Sequence, residues 1–501
     1  MSYLVLAPLL LTLYLLWQRI VKRSKPLPLP PGPQRQPIIG NLLDMPRAHP
    51  WLTYARWGQE YGDVFSLDLM GKTMVIVGSS RAATDIFEKH STVYSDRPHS
   101  VMLMDLMKYD WNFGLHSYGS DVWRDGRRVF QQAFGPSLTP KYHPIILRET
   151  RTLLRRISFD LAGLNNYLRL AYGAMIIDAV YGIRVHDRNN RYIRDAELQA
   201  EGFSTANVPG DFLVAQLPLL KYVPSWFPGA AFKRRAAQWQ QYGVDMVNNA
   251  FEKVKDTMAQ GEANSSIVAE LIARAAESER PEEEEDTAKN AMAVAYGGQI
   301  TLSATQVFIL AMAMHPDIRK RAQAEIDSVV GTDRFPDFPD RPNLPYLNAI
   351  IKETLRWQPA LPIGIPHASS TDSIHNGHFI PKGSVVIGNT WSILHDPRVY
   401  ANPDEFKPER FLDAETRAPD AAFGYGRRIC PGRWFGEAAL YSVASHILAA
   451  YTVEPPLDSD GQEIELTAEM TSGVVSYPVP YSCRMTPRSE VLKAMIAEDA
   501  E

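Results

Sequence analysis

Residues Phe423 to Trp434 read Phe-Gly-Tyr-Gly-Arg-Arg-Ile-Cys-Pro-Gly-Arg-Trp, and they constrain this chain more than any other run. Phe435 to Tyr451, directly after them, is an Ala/Leu/Ser/Val-rich segment of the kind that forms a buried helix. Cys430 therefore lies in a loop that feeds a helix start. Gly424, Gly426 and Gly432 let the backbone turn tightly and approach a large ligand. Backbone N–H groups and the positive end of a helix favour a thiolate over a thiol, and a thiolate is a strong, electron-donating metal ligand. Taken alone, Cys430 also fits a small apolar residue in a turn.

The spacing Phe423-x-x-Gly426-x-Arg428-x-Cys430-x-Gly432 resembles the haem-binding signature of the cytochrome P-450 superfamily, the haem-thiolate monooxygenases. The resemblance implies that Cys430 is the axial ligand of the iron in haem b, with Phe423 and Arg428 in the cofactor-binding loop. It implies that the thiolate's electron push favours O–O cleavage. The implied fold is mainly α with a minor β region, the haem lying between a long distal helix and the Cys430 loop.

Ahead of that fold, Tyr3 to Val21 is almost wholly apolar. At about 1.5 Å per residue it makes roughly 28 Å of helix, enough to span a bilayer. No basic segment precedes it and no small-x-small site follows, so it reads as an uncleaved transmembrane anchor rather than a signal peptide. Arg19, Lys22, Arg23 and Lys25 follow its apolar part and leave the remaining chain in the cytosol. The expected organisation is an anchor over 1–23, a basic and Pro-rich linker over 24–46, and a catalytic domain over 47–501. Prolines between Pro26 and Pro33 make the linker a stiff extended spacer. The order of anchor, basic cluster and Pro-Pro-Gly-Pro resembles a microsomal member of the superfamily, implying a single-pass protein of the endoplasmic reticulum membrane. A formal charge of −5 gives no reason to expect nucleic acid, and two cysteines, Cys430 and Cys483, do not make a disulfide framework.

Val64–Leu69 and Thr73–Val77 around Gly71 predict a hairpin. Trp123 and Arg127 share one face of a predicted helix, where an indole N–H and a guanidinium suit a carboxylate. In the resemblance both hold a haem propionate, and so does His367. The loop Ser100–Ser117 would lie over the distal side, and Leu361–Ile365 would face substrate. Glu353 and Arg356 are spaced to meet on a helix. With Arg410 in Pro-Glu-Arg-Phe they match the family's buried structural network. Leu217–Ala230 resembles a segment common in fungal secondary-metabolism members. The acidic run Glu277–Asp286 predicts a solvated loop.

Thr287–Met314 predicts one long apolar helix with Tyr296-Gly-Gly-Gln-Ile-Thr-Leu-Ser303 at its centre. Here the family carries an acid–alcohol pair that relays protons. An ungapped register puts Gln299 at the acid and Ile300 at the alcohol; a register on Gly297-Gly298 puts Ile300 at the acid and Thr301 at the alcohol. In both, the acid is gone, and neither Gln nor Ile titrates near neutral pH. The expected function is oxidation of a lipophilic small molecule in fungal secondary metabolism, with dioxygen and electrons from an NADPH-dependent reductase. The alternatives are a haem-thiolate enzyme with non-standard chemistry (dehydratase, isomerase, peroxide-using or ring-forming oxidase) and a catalytically decayed haem-binding or substrate-sequestering protein.

Overall fold

The computed structural model describes residues 27–187, 189–207, 212–297 and 300–498. The expected anchor over 1–23 and the candidate Gln299 lie outside the described residues. What is described is mainly helical, with a small β region, as expected. Helices that position the site are α1 (Asp121–Phe134), α2 (Arg191–Ala206), α3 (Ala231–Ala259), α4 (Pro281–Tyr296), α5 (Thr301–Met314), α6 (Pro345–Trp357) and α7 (Arg433–Ala450).

Helices α5 and α7 pack together at the centre and are apolar on every side, which suits helices that meet no water. Phe308, Ile309 and Leu310 on α5, and Val443, Ile447 and Leu448 on α7, are fully buried. Each such side chain contributes about 1.5–3 kcal/mol of transfer free energy. The run Pro281–Met314 is long and apolar enough to cross a membrane, yet 75% of its most apolar window is buried inside the protein, as in a core helix.

The predicted hairpin is β1 (Val64–Leu69) paired antiparallel with β2 (Lys72–Val77), in the register Val64 to Val77. Gly71, at φ +90°, makes its turn. His367–Ala368 forms β3 and Val385–Gly388 forms β4; β2 pairs parallel with β4, which pairs antiparallel with β3.

Two expectations change. The Pro-rich stretch is extended, but it is docked on the sheet rather than free: Ser66 N–H donates to Pro31 O (2.7 Å) and Phe379 N–H to Pro28 O (2.7 Å). Proline carbonyls remain acceptors even though the ring removes the donor. The acidic run is largely helix, because Pro281 opens α4 and Glu282, Glu283 and Glu284 fill its first turn, where the helix dipole favours anions. Of the predicted distal helix, α4 to Tyr296 and α5 from Thr301 are described, with the Gly297 N–H donating to Ala293 O, and residues 298–299 between them lie outside the described residues.

Candidate functional site

Around Cys430 the chain doubles back on itself. Cys430 N–H donates to Phe423 O (2.8 Å), closing a loop whose interior residues Gly424 and Gly426 have φ of +89° and +49°. Gly426 lies against the backbone of Phe87, so close that an added Cβ would stand 2.0 Å from Phe87 O. The Phe87 ring stacks on Tyr425 at 4.8 Å and touches His367 at 4.7 Å, and Tyr425 Oη bonds Thr390 Oγ1 (2.8 Å). The loop is thereby clamped to the sheet. Helix α7 starts three residues beyond the sulfur, with Gly432 as its cap.

Burial pushes the Cys430 thiol up, while the Gly432 N–H, Arg127 and Arg433 work in the other direction. The helix start therefore does not by itself win a thiolate, contrary to the sequence reading, because desolvation of the anion outweighs those fields. A bound metal cation reverses that balance, since a coordinating thiol is deprotonated outright. Cys430 and Cys483 are both free.

Beside the loop lies a cluster of cations. Arg428 is 8% exposed; its Nε donates to Ser95 O (2.7 Å), its Nη2 to His116 O (2.7 Å), and its guanidinium lies 5.1 Å from the Trp123 ring. Its buried Nη1 has no partner among the described residues. Arg97 donates through Nε to Gly114 O (3.1 Å) and through Nη1 to Ile365 O (2.8 Å) and Pro366 O (2.6 Å). Burial, and then repulsion from Arg428, push Arg97 down to about 9. Burial pushes Arg428 down to about 10, with Arg127 adding to the effect. Asp96 is the carboxylate whose field offsets both. Such an excess of buried positive charge, with one N–H left over, calls for an anionic ligand.

Trp123, Arg127 and Arg428 are thus brought together as the sequence predicted, and Arg97 joins them. Nothing local marks Arg97, because its acceptors at 114, 365 and 366 are remote along the chain. His367 is present too, 4% exposed on β3, but its Nδ1–H is committed to Tyr94 O (2.7 Å). Burial, Arg97 and Arg428 hold it well below the usual imidazole range, and a propionate carboxylate beside it would act in the opposite direction. Haem fits these residues: a dianionic group would meet cations that a single nearby carboxylate, Asp96, only partly offsets, one buried Arg428 N–H is left for it, and the free thiol of Cys430 lies on the same loop.

Glu353 and Arg356 are fully buried on α6. Arg356 donates to Glu353 through Nε (2.7 Å) and Nη2 (3.0 Å), and Arg410 Nε donates to Glu353 at 3.2 Å. Remaining N–H groups reach the carbonyls of Leu394, Glu405, Ala401 and Asn402. The network is the one expected.

Ile300 caps α5 and is half-buried. Thr301 Oγ1 is 3.2 Å from the position a Cβ on Gly436 would occupy, so the hydroxyl lies against α7. Tyr109 and Gln199, which the sequence did not single out, form a buried polar pair next to Gly297.

Comparison with known proteins agrees with this geometry. The cytochrome P-450 family model matches residues 30–485. The chain is 40% identical to the cytochrome P-450 monooxygenase COX1 of Coprinopsis cinerea over 94% of its length and 93% of the relative's. It is 39% identical to COX2 of the same fungus (96% and 93% covered) and 36% identical to the monooxygenase claR of Ampulloclitocybe clavipes (97% and 91% covered). Proteins of this family bind haem through a cysteine thiolate. The chain therefore belongs to the cytochrome P-450 family and is one of its haem-thiolate monooxygenases.

Proposed function

We propose that this enzyme hydroxylates, or similarly oxidises, a lipophilic small molecule of fungal secondary metabolism, drawing electrons from an NADPH-dependent reductase. The observation that carries the reading is the meeting of Cys430 with the buried guanidinium of Arg428 and the half-buried guanidiniums of Arg97 and Arg127. In this assignment Cys430 ligates the iron, while Trp123, Arg127, Arg428 and Arg97 hold the propionates. Phe423 anchors the loop through its carbonyl, and Glu353, Arg356 and Arg410 brace it. Haem supplies dioxygen activation: one oxygen atom goes to the substrate and the other leaves as water, at the cost of two electrons and two protons. Ile300, just ahead of α5, has no proton to donate, so proton delivery would pass through water rather than a side-chain acid. Thr301, turned to α7, contributes helix packing.

The direct test supplies haem-loaded enzyme with reductase, NADPH and isotopically labelled dioxygen, across terpenoid, polyketide, fatty and indole compounds. One labelled oxygen atom per product is expected. Products free of label would favour non-standard chemistry, the reading to which the missing acid points.

Membrane attachment at the endoplasmic reticulum belongs to the same proposal, supported by the apolar Tyr3–Val21 run and by an exposed apolar surface. Leu213, Leu219, Tyr222 and Trp226 are each more than 60% exposed, and Phe227 is half exposed. Lys72 Nζ donates to Ala215 O (3.0 Å), joining this segment to the hairpin turn, where Met70 and Ile38 are also exposed. A patch of this kind seeks a lipid surface. Protein starting at residue 27 is expected to float with anionic vesicles. Replacing Trp226 and Phe227 by serine removes roughly 1.5–3 kcal/mol of burial for each side chain, weakening binding more than tenfold. Vesicle binding that survives both changes would contradict the assignment.

A further inference from the structure

Arg427 and Arg428 are consecutive in the Cys430 loop, yet Arg427 is exposed and Arg428 is buried. Each guanidinium takes an aromatic ring, and the two rings touch. Arg427 lies 5.2 Å from the centre of the Tyr118 ring, and Arg428 lies 5.1 Å from that of Trp123. The Tyr118 and Trp123 rings are 4.8 Å apart and tilted by 58°. Four side chains from two remote segments thus form one chain of contacts, from the exposed Arg427 to the buried Arg428. A planar, weakly hydrated guanidinium suits an aromatic face in a way that an ammonium group does not.

Polar contacts fix the outer half of this chain. Arg427 donates through Nη1 to Tyr118 Oη and through Nε to Ser91 Oγ (3.1 Å). The Tyr118 main-chain N–H donates to Asp96 Oδ1 (3.1 Å), which also accepts from the Arg97 N–H (2.9 Å). Tyr118 is therefore held by its backbone, its hydroxyl and its ring at once. The inner half is less constrained. Trp123 is half-buried, and neither its Nε1 nor Arg428 Nη1 has a hydrogen-bond partner among the described residues. These are donors left for a propionate. With no side-chain hydrogen bond of its own, the indole keeps its direction through packing, and Tyr118 is its aromatic neighbour.

We propose that Tyr118 and Arg427 are positioning residues for the haem: Arg427 pins the Tyr118 ring, and that ring keeps the Trp123 indole, with Arg428 packed on it, in the orientation that meets the propionates. The proposal rests on the assignment of Trp123 and Arg428 to the propionates and adds the residues that keep them there. Its consequence is electronic as well as mechanical. Donors held on a propionate offset its negative charge and so favour the reduced haem; donors free to swing away leave that charge in place, and reduction becomes harder.

The test uses haem-loaded full-length protein and reads two quantities, the midpoint potential of the haem and the rate of haem transfer to apomyoglobin. Tyr118→Leu keeps an apolar side chain and removes the aromatic faces and the hydroxyl. It is expected to lower the equilibrium constant for one-electron reduction about fivefold, roughly 40 mV at 59 mV per tenfold, and to speed haem transfer about tenfold. Tyr118→Phe keeps the ring and is expected to stay within about twofold of the parent in both. Arg427→Lys keeps the charge without the planar fork and is expected to lower the reduction constant about threefold. A residue that only supports the fold would alter haem transfer and leave the potential alone, so a parent-like potential in Tyr118→Leu overturns the proposal. So does Tyr118→Phe as impaired as Tyr118→Leu, or Arg427→Lys equal to the parent, which would assign the effect to charge alone. Trp123→Phe removes the indole N–H; a potential and a transfer rate unmoved by it would instead overturn the propionate role of Trp123, the reading on which the proposal rests.

Discussion

Replacing Glu353 with alanine is expected to destabilise the protein by about 3–5 kcal/mol, the cost of leaving buried charge without its partner. Arg356 is fully buried and spends two of its five N–H groups on that carboxylate, at 2.7 and 3.0 Å. Arg410 and the backbone N–H of Lys407 converge on the same carboxylate. Removing it strands one wholly buried guanidinium and loosens the segment from Ala401 to Arg410, which leads toward the Cys430 loop. Since domains of this kind have only about 5–15 kcal/mol to lose, most of the chain is expected to fail to accumulate with haem. Denaturant titration against the parent measures the loss. A change below about 1 kcal/mol would mean that the network is relaxed or hydrated, unlike the closed arrangement described above.

Gly426→Ala is expected to be nearly as severe, for a different reason. The added methyl would stand 2.0 Å from the carbonyl oxygen of Phe87, a backbone atom, at a residue with φ of +49°. Relief requires moving either the Cys430 loop or the segment that carries Phe87, whose ring is held between Tyr425 and His367. Haem content is expected to fall more than tenfold. Gly229→Ala is the control: φ there is +88°, but nothing lies within 4 Å of the new methyl. That substitution carries only the left-handed strain, about 1–2 kcal/mol, and is expected to leave haem content unchanged. Equal losses in the two variants would place the cost in backbone strain and not in the contact with Phe87.

What the sequence made legible was what short spacings encode. The Cys430 loop, the Glu353/Arg356 pair and the β1–β2 hairpin each declare themselves within a few residues, and each has the local form expected. Features assembled by remote contacts stayed hidden. Arg97 becomes part of the site only through carbonyls contributed by two other segments, and the Tyr109–Gln199 pair joins positions ninety residues apart. The docking of the Pro-rich stretch on Ser66 depends on tertiary packing in the same way. One signal was available and outweighed. Pro281 followed by glutamates is a helix start, yet the charge run favoured a loop. The thiol's upward shift was beyond sequence altogether, since it depends on how completely the fold dries Cys430.

The central claim is that Cys430, set in its glycine loop beside the Arg97–Arg127–Arg428 cluster, ligates haem iron. The absorption spectrum of the reduced, carbon-monoxide-bound protein tests it most directly, with Cys430→Ser measured alongside. The account predicts the red-shifted Soret band of a thiolate-ligated haem, near 450 nm, in the parent and its loss in the variant. A parent that folds without haem, or a variant that keeps the thiolate band, would contradict it.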